Sequence, residues 1–168
     1  RTLAEFDFPK DVYAVGRLDF DSEGLLILSD DPRINGALLD PKHGHARTYL
    51  AQVERVPEPE ALSTISNGVI IEGRKTLPAR VRLILDEPDL PARTPPIRFR
   101  KNIPTAWLEI ALSEGKNRQV RKMTAAIGHP TLRLVRVAIG TLELRNLDLE
   151  PGWWRELGQN EVELLFSV

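Results

Sequence analysis

The chain has 168 residues, 42% apolar and 28% charged, with a formal net charge of −1, the size and composition of one soluble globular domain. It has no cysteine, which excludes disulfide frameworks, thiol nucleophiles and zinc fingers and fits a reducing cytoplasm. No apolar run is long enough to span a bilayer, the first residues are too polar for a signal peptide, and Arg1 in place of Met points to a cut or processed product.

In chain order, Val12 to Leu18 reads as a short strand, followed by a turn at Phe20 to Gly24 and a second apolar run, Leu25 to Leu28. Pro32 to Leu39 fits a short helix with Asp31 as N-cap and Pro32 at its first position. Thr48 to Val53 alternates as a strand, and Pro57 to Asn67 reads as a helix that stops at Asn67-Gly68. Val69 to Leu85 holds two short strands around the Glu72-Gly73 turn. Asp86 to Pro104 carries Pro88, Pro91, Pro95, Pro96 and Pro104 and reads as a loop excursion. Ala106 to Leu112 alternates as a strand. Asn117 to Ile127 is the strongest helix, with Val120, Met123, Thr124 and Ile127 buried and Arg118, Arg121 and Lys122 on the other side. Leu132 to Leu144 gives one or two strands broken at Gly140. Strands outnumber helices without βαβ alternation, so the fold class is α+β on a largely antiparallel sheet.

Charge is unevenly distributed. Between Arg98 and Arg136 nine basic residues face two acids, whereas between Arg1 and Asp31 three basic residues face eight acids. A local cationic stretch can attract a polyanion whatever the net charge. A salt-bridged surface explains it equally, and charge by itself favours that reading.

Three segments can carry chemistry. In Gly16-Arg17-Leu18-Asp19-Phe20-Asp21-Ser22-Glu23-Gly24, an Asp past a strand end and before a tight turn suits a nucleophile, a general base or a metal ligand. It equally suits a turn in which Asp19, Asp21 and Ser22 satisfy backbone amides. In Glu114 to Met123, with Gly115 and Asn117 as turn and N-cap, four cations crowd one helix start. They oppose its macrodipole, which calls for a nearby anion: a phosphate, the Asp19 carboxylate, or both. In Arg47-Thr48-Tyr49, the tyrosine ring is suited to stacking on a nucleobase or to ordinary packing. His43 and His45 lack a third ligand and read as solvent-exposed, and Trp107, Trp153 and Trp154 as packing residues; no metal site is expected.

Together these segments resemble the RsuA-type pseudouridine synthases, which modify bacterial ribosomal RNA. The resemblance rests on Gly16 to Leu26, Arg47-Thr48-Tyr49, Glu114 to Met123, Gly128 to Leu134 and Gly152 to Leu157. Asn67-Gly68-Val69 and Pro95 to Arg98 are most similar to a branch that modifies the large subunit. The resemblance implies one catalytic domain over residues 1–168, a largely antiparallel mixed sheet flanked by helices around a central cleft. It implies Asp19 as nucleophile, Arg121 paired with the Asp19 carboxylate, and Tyr49 stacked on the flipped base. Arg17 would help displace the uridine from its helix, and Lys116, Arg118, Lys122, Arg133 and Arg136 would hold RNA phosphates. It implies no metal, no organic cofactor and no membrane, a monomer in the cytoplasm, and large-subunit ribosomal RNA as partner. Two departures from the family are that the chain starts after the usual Lys-Pro-containing strand and that it carries no S4-type RNA-binding domain. The competing readings are a non-catalytic RNA-binding assembly protein on the same fold and a metal-dependent phosphoesterase using Asp19 and Asp21.

Overall fold

The computed structural model describes residues 2–97, 100 and 102–166. Ten strands and four α-helices follow the order β1 (Tyr13–Ala14), β2 (Glu23–Gly24), β3 (Leu28–Ser29), α1 (Arg33–Leu39), β4 (Arg47–Glu54), α2 (Pro59–Ser66), β5 (Ile70–Ile71), β6 (Arg74–Lys75), β7 (Arg80–Ile84), β8 (Thr105–Leu112), α3 (Gln119–Ala126), β9 (Thr131–Ile139), β10 (Leu142–Glu143) and α4 (Gln159–Phe166). Six of the strands form one sheet in the order β10-β9-β4-β8-β7, antiparallel throughout, with β2 added to β9 in parallel. This is the α+β, largely antiparallel mixed sheet that the residue pattern implies.

The long central strands follow from their sequences. β4 and β8 pair over eight positions, and alternation buries Ala51, Val53, Leu108 and Ile110 on one face. Onto that face pack Ile65 of α2 and Val120 and Met123 of α3, giving the larger of two core clusters. The smaller cluster joins Val15, Leu25, Ile27 and Leu38 to Ile139, Leu142 and Leu165, so the chain on both sides of the Asp19 turn is anchored by burial.

The short strands depart from the sequence reading for a local reason. The Leu25 amide donates to Arg136 of β9 (2.9 Å), which takes that residue away from a β1–β3 hairpin. The hairpin therefore shrinks to two residue pairs, extended by a Val15 amide to Ile27 carbonyl bond of 2.8 Å. Residues 69–85 hold three strands instead of two. Thr76 closes the β5–β6 hairpin by bonding Val69 with both its amide and its hydroxyl (2.9 Å each), and β7 starts separately. The C-terminal helix α4 is an addition to the sequence reading; Glu161 caps it on the Gly158 amide (2.9 Å) and pairs with Arg155 (2.8 Å).

One glycine makes the junction between β2 and β9 possible. Gly24 has φ +99°, and a Cβ there would lie 2.2 Å from the Arg136 carbonyl oxygen and 2.7 Å from its nitrogen. Both are backbone atoms of a central strand and cannot yield. Gly24→Ala is expected to destabilise the fold by about 2 kcal/mol or more and to detach β2. Gly36→Ala, in α1 with nothing within 4 Å of its Cβ, should be neutral or stabilising by up to about 1 kcal/mol. Urea unfolding of the two variants side by side checks both.

Candidate functional site

The turn at Asp19 is built from backbone outward. The Ser22 amide donates to the Asp19 carbonyl (2.9 Å), closing a four-residue turn with Phe20 and Asp21 at its centre. Gly24 and Leu25 then fix the exit of the turn to β9.

Helix α3 reaches this turn from the far side of the sequence. Arg118 holds the Asp21 carboxylate in a two-pronged fork, Nη1 to Oδ1 at 2.7 Å and Nη2 to Oδ2 at 2.9 Å. The same Nη1 lies 3.7 Å from Asp19 Oδ2. Arg121 Nη2 donates to the Asp21 carbonyl (2.8 Å) and lies 3.4 Å from its Oδ2, while Nη1 reaches the Thr131 carbonyl. The Asp21 carboxyl is held down to about 2, chiefly by the Arg118 hydrogen bonds and further by Arg121; burial of the Arg121 guanidinium lowers that cation's own pKa.

The pairing implied for Arg121 and Asp19 is not a direct contact here. Among the described residues, the cation within 4 Å of Asp19 is Arg118, while Arg121 contacts Asp21 and bears on Asp19 by its charge from further away. The physical reason is the turn itself, which points the Asp21 carbonyl and carboxylate at α3. Arg118 occupies the N-cap position in the left-handed region (φ 52°), where it turns its side chain back across the gap. The N-cap expected at Asn117 falls instead on Arg118, which makes no side-chain cap bond, and Gln119 Oε1 accepts the Lys116 amide at 2.9 Å just ahead of the helix.

Glu114 is a residue that the sequence reading left without a role. It is buried, accepts hydrogen bonds from the Leu77 amide (2.8 Å) and Gln119 Nε2 (2.6 Å), and pairs with Lys116 (3.0 Å). It fastens the start of α3 to the chain before β7. A lone acid at the head of a cationic helix was the available signal.

Tyr49 is half-buried on β4 directly opposite Arg136 of β9, which in turn pairs with Gly24 of β2. A register shift between Thr48 and Tyr49 creates this alignment. The row Tyr49, Arg136, Gly24 spans three adjacent strands, about 10 Å at the usual inter-strand spacing. Arg47, two residues before Tyr49, is also buried; burial lowers its pKa, and its guanidinium lies flat against Gly115, where a Cβ would be 3.6 Å away.

The remaining cations are largely spoken for. Lys122 pairs with Glu72 (2.7 Å), Arg100 with Glu54 (3.0 Å), and Arg133 with Glu23 (2.8 Å). Arg93 also pairs with Glu23 (3.1 Å) and Arg133 donates to the Pro91 carbonyl (2.7 Å), so the proline-rich excursion is pinned beside the turn. Arg136, expected at a phosphate, is only 3% exposed and donates from Nε to the Leu25 carbonyl at 2.7 Å. That is a correction: its guanidinium joins β9 to the chain after the turn. Arg17 is exposed, and Arg98 and Lys101 lie outside the described residues.

Two smaller expectations are also corrected. His45 is buried, edge-on to Phe166, because the loop before β4 packs beneath α4; His43 is exposed. Trp107 is buried, whereas Trp153 is 74% exposed and Trp154 packs edge-on against Phe8. Among the described residues no three His, Cys, Asp or Glu side chains are placed together to hold a metal ion, and no helix is long and apolar enough to cross a membrane. Both oxygens of Asp21 are already engaged by Arg118, which disfavours a metal bridging Asp19 and Asp21.

Residues 2–126 match the family model described as RNA pseudouridylate synthase. The chain is 53% identical over 155 residues to ribosomal large subunit pseudouridine synthase E of Xanthomonas campestris, covering 92% of this chain and 82% of that one. It is 50% identical to the protein of the same name from Vibrio parahaemolyticus, over 94% of this chain and 65% of that one. Ribosomal large subunit pseudouridine synthase B of Bacillus subtilis is 36% identical over 96% of this chain and 60% of that one. A solved crystal structure of a pseudouridylate synthase superposes with a TM-score of 0.78 at 31% identity, covering 95% of this chain and 63% of that chain. With this fold, this turn and these relatives, the chain belongs to the RNA pseudouridylate synthase family.

Proposed function

We propose that this protein isomerises a uridine of large-subunit ribosomal RNA to pseudouridine in the bacterial cytoplasm, with Asp19 as nucleophile. The observation that carries the assignment of the site is the Asp19 turn, locked from below by Arg118 and Arg121 through Asp21 while the Asp19 carboxylate stays 20% exposed. The names of the relatives at 50% identity and above support the ribosomal substrate. The Asp19 carboxylate forms a transient bond to the nucleotide, the bond between ribose C1′ and N1 breaks, and the base turns. A bond from C1′ to C5 then forms, the bond to Asp19 breaks and returns the free carboxylate, the C5 proton leaves and N1 takes one up. The sum is an isomerisation with no net electron transfer, so the chain's own groups suffice. Asp19 supplies the nucleophile, Arg118 a cation 3.7 Å from it, and Tyr49 a ring for the detached base. Arg17, exposed two residues before Asp19, is placed to enter the gap left by the uridine. Phosphates fall to Lys116, Arg118, Lys122 and Arg133 at the rim.

Asp19→Asn should abolish pseudouridine formation on unmodified large-subunit ribosomal RNA, with EDTA present throughout, while RNA affinity changes less than about threefold. Product from this variant would remove Asp19 as nucleophile; chelator-sensitive activity of the parent would favour the phosphoesterase-like reading. Asp21→Asn should lower turnover by roughly tenfold or more by freeing the turn. Its folded pKa lies below the ordinary carboxylate value, so the Asp21 contribution to stability is present above about pH 4 and fades as pH falls toward 2. The stability gap between parent and Asp21→Asn should therefore be flat from pH 5 to 8 and close below pH 3, as denaturation curves will show. RNA affinity should fall with salt, with a log–log slope of about −0.7 to −0.9 per phosphate neutralised; a flat dependence would end the phosphate role of the rim cations.

A further inference from the structure

Phe20 is 98% exposed, the most exposed of the large apolar side chains among the described residues. Single apolar residues on a surface are ordinary. This one differs in its mounting. It sits at the second position of the turn that begins with Asp19, and the backbone on both sides of it is held. The Asp19 carbonyl is bonded to the Ser22 amide, the Asp21 carboxylate is forked by Arg118, and the Asp21 carbonyl is bonded by Arg121. The ring therefore stands on a rigid base, directed away from both core clusters, one residue from the proposed nucleophile.

We propose that Phe20 is a base-stacking residue, taking the face of a nucleobase next to the target uridine when the RNA is bound; this rests on the functional reading above. Three observations converge on a nucleobase as occupant. An exposed aromatic ring offers a stacking face that every base can use. Arg118, 41% exposed, holds the next residue, Asp21, and exposed Arg17 lies three residues before the ring, so both can supply charge for the adjoining phosphates. The neighbouring position to Asp19 places the ring beside the nucleotide under attack, where opening of the RNA stack leaves a base without its neighbour. Because the turn is already ordered, little conformational entropy is lost when the ring is covered. Phe20 thus acts as a positioning residue: it holds the opened strand so that the uridine stays at Asp19.

The test uses the full chain carrying Phe20→Ala, Phe20→Leu or Phe20→Trp, each measured for Tm, for kcat and KM on an unmodified large-subunit ribosomal RNA transcript, and for Kd in an Asp19→Asn background. The expected result is an unchanged Tm in all three, since the ring touches no core. Phe20→Ala and Phe20→Leu should each raise KM and Kd by roughly tenfold, the range of one lost base stack. Phe20→Trp should stay within about threefold of the parent, and the added indole should be quenched when the transcript binds, read as the difference from the parent's own tryptophan emission. Parent-like Kd in both Phe20→Ala and Phe20→Leu overturns the proposal, as does full rescue by Phe20→Leu, which would make the contact merely apolar. If the parent forms no pseudouridine yet the Phe20 variants still lose RNA affinity at constant Tm, the stacking role stands and the catalytic reading fails.

Discussion

The site depends on a single interaction between segments 97 residues apart, the Arg118 fork on Asp21. Without it, the turn would keep the backbone hydrogen bond between Asp19 and Ser22 and the Arg121 bond to the Asp21 carbonyl, but no side-chain hydrogen bond would fix the direction of the Asp21 carboxylate. A planar guanidinium matches both oxygens of a carboxylate, which fixes orientation as well as distance; an ammonium would supply attraction without direction. The strained left-handed backbone of Arg118 is the cost of reaching the turn from the N-cap position of a helix. Arg121, one turn of helix further on, secures the same residue through its carbonyl. The proposed nucleophile is thereby held indirectly. The cations grip its neighbour firmly and leave the Asp19 carboxylate 20% exposed.

The same geometry changes what the cationic stretch can do. Lys116, Lys122, Arg100 and Arg133 each already face a carboxylate of this chain. A phosphate arriving at one of them must compete with Glu114, Glu72, Glu54 or Glu23, so the net attraction per contact is smaller than a count of arginines and lysines suggests. The Lys122–Glu72 pair, whose carboxylate is largely exposed, is of the kind that contributes little to stability and exchanges readily. Arg133, with Glu23, is the most shielded of the four cations.

Much of this was legible in the sequence, and the limits are physical. Strong alternation over β4 and β8 and the apolar stripe of α3 read correctly because burial on one face imposes a period. The Asp19 turn and the cationic helix were both visible, as was the need of the helix for an anion. Which anion was not: an acid-rich segment and a base-rich segment announce that they can meet, but pairing Arg118 with Asp21 and Arg121 with its carbonyl depends on a left-handed residue that no local pattern requires. Arg136 misled because its three-residue spacing from Arg133 straddles the sheet: residues on opposite parity, followed by a bulge, send Arg133 toward Glu23 at the rim and Arg136 inward. His45 misled in the same way, since a loop histidine is buried only when a later helix, here α4, covers it.

The buried arginine then explains why the turn and the tyrosine share one frame. Arg136 faces Tyr49 across one strand boundary and Gly24 across the other, and its side chain returns to the Leu25 carbonyl. A shift of β2 relative to β9 would disturb that bond, the close approach of Gly24 to the Arg136 backbone and the distance from Asp19 to Tyr49 together. If Asp19 and Tyr49 act on one nucleotide as proposed, their spacing depends on the strand between the turn and β4, because a small misplacement of either would cost heavily in rate. β9 is that strand, paired with β4 along its length and with β2 and β10 on its other edge. The Arg136 guanidinium fills this place and bonds the Leu25 carbonyl from Nε, while its buried Nη2 has no hydrogen-bond partner among the described residues.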